Sequence, residues 1–449
     1  MKIWLTCVLA LGLLQPVAAD STRKPNIILI MADDLGYQDI GCYGHPSIRT
    51  PVLDQLAKDG IRLTNFHSGA AVCTPSRMAL LTGAYPVRLG WTRGVAGYLM
   101  GAKDGMSPEA LTMAEVFKAE GYNTGISGKW HIGQLPGTRP HEQGFDRSFY
   151  NPMSNNQLKQ IWSGDQIAIP QVDNRLFTEH FTHEALAFIR ARKDEPFLLY
   201  LPYTAPHFDV EAHPEWKGKS KFGAYGDVVE ELDARIGEII RLLEEQNILQ
   251  HTLIVFTSDN GAQGGQAASS LPYRGKKWSP LEGGTRVPCI ISWPGKVPPG
   301  RTDDSLTAAI DLLPTLCGAA GIDLNTHGRN RPVIDGINVW DSLRGKAAQH
   351  PRTELLHWHG KSDQPQALTM GDWKYFPDQR DAITGADPSK RSEAPVAPAL
   401  YHLREDVGEL KNLSQQFPQR MEVLKKRFDE LSRELAASPK LAIVTPAQQ

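Results

Sequence analysis

From Ile27 to Ala32 every residue is apolar, and two carboxylates, Asp33 and Asp34, follow at once. A run of strand length that does not alternate leaves no face for water. It reads as a strand buried on both sides, the condition of a parallel sheet sandwiched between helices. The surrounding chain keeps that rhythm. Thr50 as N-cap, Pro51 at the first position and Gly60 past the end frame a helix, and Ile61–Phe66 reads as the next strand. Residues 112–121 predict a short helix, 122–126 a strand and 197–201 a further strand. Val228, Leu232, Ile236, Ile239 and Leu243 mark one face of a long helix leading to a strand at 252–257. Alternation of this kind predicts an α/β fold with a large, mostly parallel central sheet and helices on both faces.

After about Leu343 the character changes. Residues 367–376 predict a hairpin around Gly371-Asp372, 399–403 a short strand, and Met421, Leu424, Phe428 and Leu431 one face of a closing helix. The expected division is a catalytic unit over 20–345 and a C-terminal unit over 346–449, a smaller antiparallel sheet closed by a helix. Pro- and Ser-rich stretches at 384–398 and 438–449 read as loops or a loose tail. At the other end, one lysine precedes an apolar run to Leu14, and Val17-Ala18-Ala19 precedes Asp20. That is the pattern of a secretory signal peptide over 1–19, and so of export. No later segment is long and apolar enough to span a membrane. A formal charge of −2 over 449 residues leaves no basic excess with which to bind nucleic acid. Five cysteines, with Cys7 in the leader, are too few for a disulfide framework in a chain this long, and their spacing gives no pairing.

Four of the expected strands run into unusual polar residues: Asp33-Asp34; Lys129 and His131, reached through Ser127-Gly128; His207, at the end of Pro202–His207; and Asp259-Asn260. In a parallel sheet these ends lie along one edge, where ligands bind. Asp33, Asp34, Asp259 and Asn260 form a hard oxygen set suited to Ca²⁺ or Mg²⁺, and a divalent ion would supply the counter-charge that three buried carboxylates need. Lys129, Lys277 and Arg77 can clamp a tetrahedral oxyanion, and His131 and His207 can act as acid or base near neutral pH. Singly, each has a plainer use as a strand cap, a turn or a solvated side chain. Together they point to one site. Cys73, in the stretch AVCTPSRMALLTG, is open on these grounds to four readings: core residue, half of a disulfide, thiolate nucleophile, or precursor of another group.

This ordered set resembles the type I sulfatases. CTPSR at 73–77 with LTG at 81–83 resembles that family's Cys-x-Pro-Ser-Arg signature, and Gly121-Tyr122-x-Thr124 with GKWHIG at 128–133 resembles its second. MADDLGY, GFD at 144–146, APH at 205–207, TSDNG and EGGTRVP at 282–288 follow in the family's order, so the likeness runs from about Pro25 to Asn412.

The resemblance implies an alkaline-phosphatase-like fold, with a mixed, mostly parallel sheet, and hydrolysis of a sulfated carbohydrate or aryl sulfate. It also implies a formylglycine-generating or sulfatase-maturing enzyme that reads Pro75 and Arg77 and oxidises Cys73 to Cα-formylglycine. One metal ion, usually Ca²⁺ with Mg²⁺ as the alternative, is then held by Asp33, Asp34, Asp259, Asn260 and the modified Cys73. By the same resemblance Arg77 stabilises the hydrated aldehyde, and Lys129 and Lys277 neutralise the sulfate. Asp259 takes the proton of the attacking hydroxyl, His207 (with Lys277) protonates the leaving alcohol, and His131 deprotonates the second hydroxyl. Lys277, rather than Lys276, has the family's spacing of five residues before Glu282. The chain departs from the family at Val52, at Phe208-Asp209-Val210 after His207, and at Trp278–Leu281, which alters the expected leaving-group pocket. Segments 134–175 and 262–281 are the expected rim, with Gln157, Lys159, Trp162, Arg175, Tyr273 and Trp278 facing a sugar. The alternatives are a phosphate or phosphonate ester hydrolase of the same superfamily, and a protein that binds sulfated glycans without cleaving them.

Overall fold

The computed structural model describes residues 23–92, 94–97, 104–265, 267–327, 334–380 and 396–446, so the expected signal peptide lies outside the described residues. A ten-stranded sheet comprises β1 (Asn26–Ala32), β2 (Ile61–Leu63), β3 (Asn123–Lys129), β4 (Arg147–Asn151), β5 (Ile161–Ser163), β6 (Gln166–Ile169), β7 (Phe197–Pro202), β8 (Thr252–Ser258), β9 (Cys289–Ser292) and β10 (Arg301–Asp303). Their spatial order is β10-β2-β9-β8-β1-β7-β3-β4-β5-β6. β1 pairs in parallel with β7 and β8, and β3 in parallel with β7 and β4. β9 runs against both its neighbours, as does β5. The sheet is therefore mixed and mostly parallel.

The side chains of β1 divide by parity, as a strand's two-residue period requires. Ile27, Leu29 and Met31 enter a core with α2 (Cys73–Thr82) and α3 (Met113–Ala119), and Ile28, Ile30 and Ala32 enter another with α1 (Pro51–Lys58). Two more helices, α4 (Phe177–Arg192) and α5 (Gly223–Glu245), cover the second face, and α6 (Leu312–Ala320) the first. Helices thus lie on both faces. Each fully buried Ile or Leu contributes about 1.5–3 kcal/mol, which fixes the strand register and hence the place where the strands end. Thr112 caps α3 through a reciprocal box with Glu115, which explains why the short helix was readable.

The five strands β4, β5, β6, β9 and β10 were not expected, being only three to five residues long with no sustained alternation. A second, antiparallel sheet contains β11 (Glu354–His357), β12 (Ala367–Met370), β13 (Trp373–Phe376) and β14 (Ala399–His402). The hairpin turns at Gly371, whose φ of 57° suits glycine. One face of this sheet (Leu356, Leu368, Tyr375, Leu400) packs on α7 (Pro418–Ala437) through Leu424 and Phe428. The other face (Ala367, Phe376, Ala399, Tyr401) packs on Leu281.

The expected loop at 384–398 falls largely outside the described residues. The tail departs from expectation: it is tied down as far as Val444. Leu441 N–H donates to Arg88 O at 2.9 Å, and Val444 and Gly105 exchange backbone hydrogen bonds of 2.9 and 3.0 Å. Leu441 and Ile443 pack against the main core, so apolar burial outweighs the polar composition of that stretch. Among the described residues no helix is long and apolar enough to cross a membrane.

Candidate active site and metal centre

Four parallel strands end at one place. β1 delivers Asp33 and Asp34, β3 delivers Lys129 and then His131, β7 leads to His207, and β8 delivers Asp259 and Asn260. Cys73 opens α2 and Arg77 lies one turn on; Lys277 arrives on the loop before Glu282. All ten are buried. The strand ends are knit by Asp33 N–H to Ala205 O (3.0 Å) and Asp259 N–H to Ala32 O (3.1 Å). Gly128, with φ 143°, lets β3 meet β7 closely, since a Cβ there would lie 2.0 Å from Pro202 O. Asp34 (φ 65°), His131 (φ 61°) and Trp278 (φ 74°) take the left-handed backbone region, where a non-glycine residue is strained. Such strain gathers where surrounding structure fixes functional side chains.

The charges are tightly paired. Lys129 Nζ donates to Asp33 Oδ2 at 2.6 Å, and Lys277 Nζ to Asp34 Oδ2 at 2.7 Å. Arg77 donates to Asp259 Oδ2 from Nε (3.0 Å) and from a terminal nitrogen (2.7 Å), and its other terminal nitrogen donates to Lys129 O (2.9 Å). Burial alone would raise the Asp33 carboxyl, but Lys129, His207 and Arg77 outweigh it and hold it at about 2. Asp34 is likewise lowered against burial, chiefly by Lys277. Asp259 moves the other way, raised by burial and by the nearby Asp33. Three protein cations, Lys129, Lys277 and Arg77, already pair these carboxylates, so they share the balancing expected of a divalent ion. A bound divalent ion therefore gives the site a net positive charge, which suits an anionic ligand.

The donor set fits such an ion. Ligand atoms of Asp33, Asp34, Cys73 and Asp259 lie within 4.8 Å of one another. Asn260 Nδ2 donates to Asp34 Oδ1 (2.7 Å) and to Gly261 O (2.9 Å), leaving the buried Asn260 Oδ1 without a partner. A buried carbonyl oxygen with no donor is costly alone and is what a hard cation takes. The Cys73 thiol lies 3.4 Å from Asp33 Oδ1. Burial and Asp259 push its pKa well up, so a thiolate nucleophile is not favoured. Cys42, Cys73, Cys289 and Cys317 are all unpaired, which removes the disulfide reading.

The two histidines differ. His131 Nε2 faces Ala96 O at 3.2 Å, so it carries the hydrogen, and the buried Nδ1 is left with a free lone pair. Burial, then Lys129 and Arg77, hold this ring well below the usual imidazole range. His207 Nδ1 donates to Phe208 O at 2.6 Å, and its Nε2 stands 3.4 Å from Asp34 Oδ2. Burial lowers it too, against the pull of Asp33 and Asp34.

Cys73, His131, His207 and Lys277 line one cavity of about 190 Å³, with Asn156, Gln157, Phe208 and Trp278 among its walls. A larger cavity of about 620 Å³ beside α1 and α5 contains none of the site residues. Of the expected rim, Gln157 and Trp278 face the cavity, whereas Lys159, Trp162, Arg175 and Tyr273 do not line it. Tyr273 is instead buried edge-on against Tyr37 at 4.7 Å, with Arg286 over its ring, and Arg175 pairs with Asp173. Thr74 was not foreseen: its hydroxyl donates to His131 O (2.7 Å) and accepts from Ala96 N–H (2.9 Å). Its place inside the CTPSR motif was the only available signal. Phe208 was noted only as a departure, and it stacks on His207 with ring centroids 4.5 Å apart.

An α/β sheet here gathers a metal-type oxygen set, a cysteine and three clamped cations at its carboxyl edge, a site of the kind that hydrolyses anionic esters. The sequence profile of the Sulfatase family matches residues 25–322. Human arylsulfatase A is 36% identical over 433 residues, 87% of this chain and 83% of that protein. Dog N-acetylgalactosamine-6-sulfatase is 31% identical over 455 residues, covering 91% and 85%. The crystal structure of the PsFucS1 sulfatase from Pseudoalteromonas sp. superposes with a TM-score of 0.83 at 27% identity, covering 94% of this chain and 92% of that one. The chain belongs to the sulfatase family, type I, and is a sulfuric ester hydrolase.

Proposed function

We propose that this protein hydrolyses a sulfated carbohydrate with Cys73 matured to Cα-formylglycine and Ca²⁺ as the resident ion. The convergence of Cys73 with Asp33, Asp34, Asp259 and Asn260 carries this reading. Those four residues would hold the ion with the modified Cys73, and the ion would supply Lewis-acid stabilisation of sulfate oxygens. The hydrated aldehyde of a matured Cys73 would supply two hydroxyls on one carbon, a nucleophile for the sulfate ester and a second hydroxyl from which the aldehyde could be restored.

The chain's own residues serve those two stages. Lys129 and Lys277 present ammonium groups to the sulfate, whose single negative charge otherwise repels a nucleophile. Asp259, with its raised pKa, accepts the proton of the attacking hydroxyl. Arg77 fixes Asp259 with two hydrogen bonds and so sets the direction of that transfer. His207, as an imidazolium with Nδ1 held on Phe208 O and Nε2 facing Asp34, would give its Nε2 proton to the departing alcohol, with Lys277 beside it. His131 takes the second proton on Nδ1, the nitrogen with no other partner.

The amide side chains of Asn156 and Gln157 beside Phe208 and Trp278 favour a sugar, since they pair hydrogen-bonding groups with flat apolar faces. The leader at 1–19 supports export, and the second sheet supports a C-terminal unit beginning near 346. One preparation assayed on matched sulfate, phosphate and phosphonate esters tests the function. Sulfate turnover exceeding the others by at least about 10²-fold is expected, and Cys73→Ser should lose it. Preference for the phosphate or phosphonate ester would favour the alternative hydrolase.

A further inference from the structure

A second buried ionic cluster lies behind the loop that carries Lys277. Lys374 sits on β13 with its side chain fully buried, and Nζ donates to Glu282 Oε1 at 2.8 Å and stands 3.3 Å from Glu409 Oε1. Arg286 donates to the other Glu282 oxygen at 3.1 Å. Glu409 Oε2 accepts the Glu282 backbone N–H at 2.8 Å. The ligand atoms of His67, Glu282 and His357 also lie within 4.8 Å of one another. Both oxygens of Glu282 already hold cations, so the cluster offers no charge to a metal ion and acts instead as a clasp.

The clasp grips the active-site loop. Gly283 N–H donates to Arg274 O (2.7 Å), and Lys277 N–H to Ala262 O (2.9 Å). A Cβ on Gly284 would lie 2.0 Å from Ser279 O, and one on Gly261 would lie 2.0 Å from Gly283 O. The loop is therefore wound directly on the Glu282–Gly284 turn, with no slack between that turn and Lys277. Leu281, immediately before Glu282, is buried against the same face of the small sheet.

We propose that Lys374, from the C-terminal sheet, is a positioning residue for the sulfatase reaction: by pinning Glu282 it holds the 274–284 loop so that the Lys277 ammonium meets Asp34 and the substrate. This rests on the reading of Lys277 as a group that touches the sulfate ester. Lys374 touches nothing in the cavity and acts only through the loop.

A double-mutant cycle tests this. kcat/KM is measured per formylglycine-bearing chain for Lys374→Met in the natural background and in a Lys277→Ala background. The expected result is a loss of about 10-fold with Lys277 present and of less than about 2-fold without it. Lys374→Met leaves Glu282 and Glu409 facing each other, so a charge-neutral version, Lys374→Gln with Glu409→Gln, is run in parallel and should show the same non-additivity. Equal losses in both backgrounds, or no loss with Lys277 present, would overturn the proposal. A Lys277→Ala chain as active as the unaltered protein would remove the catalytic reading of Lys277 and the proposal with it.

Discussion

Two buried ionic clusters, joined by one short loop, differ in whether they open on a cavity. The cluster around Cys73 opens on a cavity and keeps buried polar atoms unspent, Asn260 Oδ1 and His131 Nδ1. The cluster around Glu282 is closed, with both carboxylate oxygens of Glu282 held by cations and neither its residues nor their neighbours lining that cavity. Among the described residues five non-glycines have positive φ, and four of them (Asp34, His131, Trp278, Glu409) belong to these clusters or the loop between them. Charge and strain are thus concentrated twice, once to react and once to hold. The difference teaches that burial of charge alone does not mark a catalytic site. An opening does, whereas a buried atom without a hydrogen-bond partner occurs in both clusters, Glu409 Oε1 in the closed one.

Exchange of one lysine should break the symmetry most sharply. On the proposed reading of Lys129 as a group that neutralises sulfate, Lys129→Met is expected to lower kcat/KM by about 10²–10³-fold. Its melting temperature should fall less than that of Lys374→Met, because a metal ion can re-pair Asp33 whereas nothing re-pairs the closed cluster. Thermal melts in Ca²⁺ check the second half.

A smaller effect separates roles within the open cluster. His207→Ala should cost about 10-fold more on a sugar sulfate than on a nitrophenyl sulfate, since a good leaving group needs less proton donation. Near-equal losses on the two substrates would argue for a different acid.

The smallest effect lies in the closed cluster and reads out as stability. Burial, with Arg286 and Lys374, holds His67 at about 3 against the pull of Glu282, and burial with Lys374 and His67 holds His357 well below the usual imidazole range. The unfolded chain takes up protons on these rings below about 6.5, while the folded chain does not. Stability from this source is present above about 6.5 and is lost as pH falls toward about 3. His67→Gln should flatten the decline of melting temperature between pH 7 and 4.5 by a few degrees, leaving the neutral-pH activity nearly unchanged.

The contrast also explains what could be read from the chain. Asp33 and Asp34 were legible because they follow an unbroken apolar run, and Asp259 and Asn260 because they close the Leu253–Phe256 run through Thr257-Ser258; parallel strands bring such carboxyl ends together whatever the loops do. The helices with a cap or a long apolar face were legible for the same local reason. The closed cluster was not. Lys374 stands between Trp373 and Tyr375 in an ordinary strand pattern, and its partner Glu282 is 92 residues away. Tyr273 and Trp278 look equally suited to a sugar in sequence, yet one is packed on Tyr37 and the other lines the cavity. Side-chain direction in a loop is set by such tertiary contacts, which leave no local trace.

The central claim is that the residue encoded as Cys73 does not work as a thiol. Mass spectrometry of the tryptic peptide Leu63–Arg77, which contains Cys73, taken from protein made in a host that matures sulfatases, tests it most directly. The account predicts the aldehyde or its hydrate at Cys73 in the active fraction. A fully active preparation whose Cys73 is wholly thiol would contradict it.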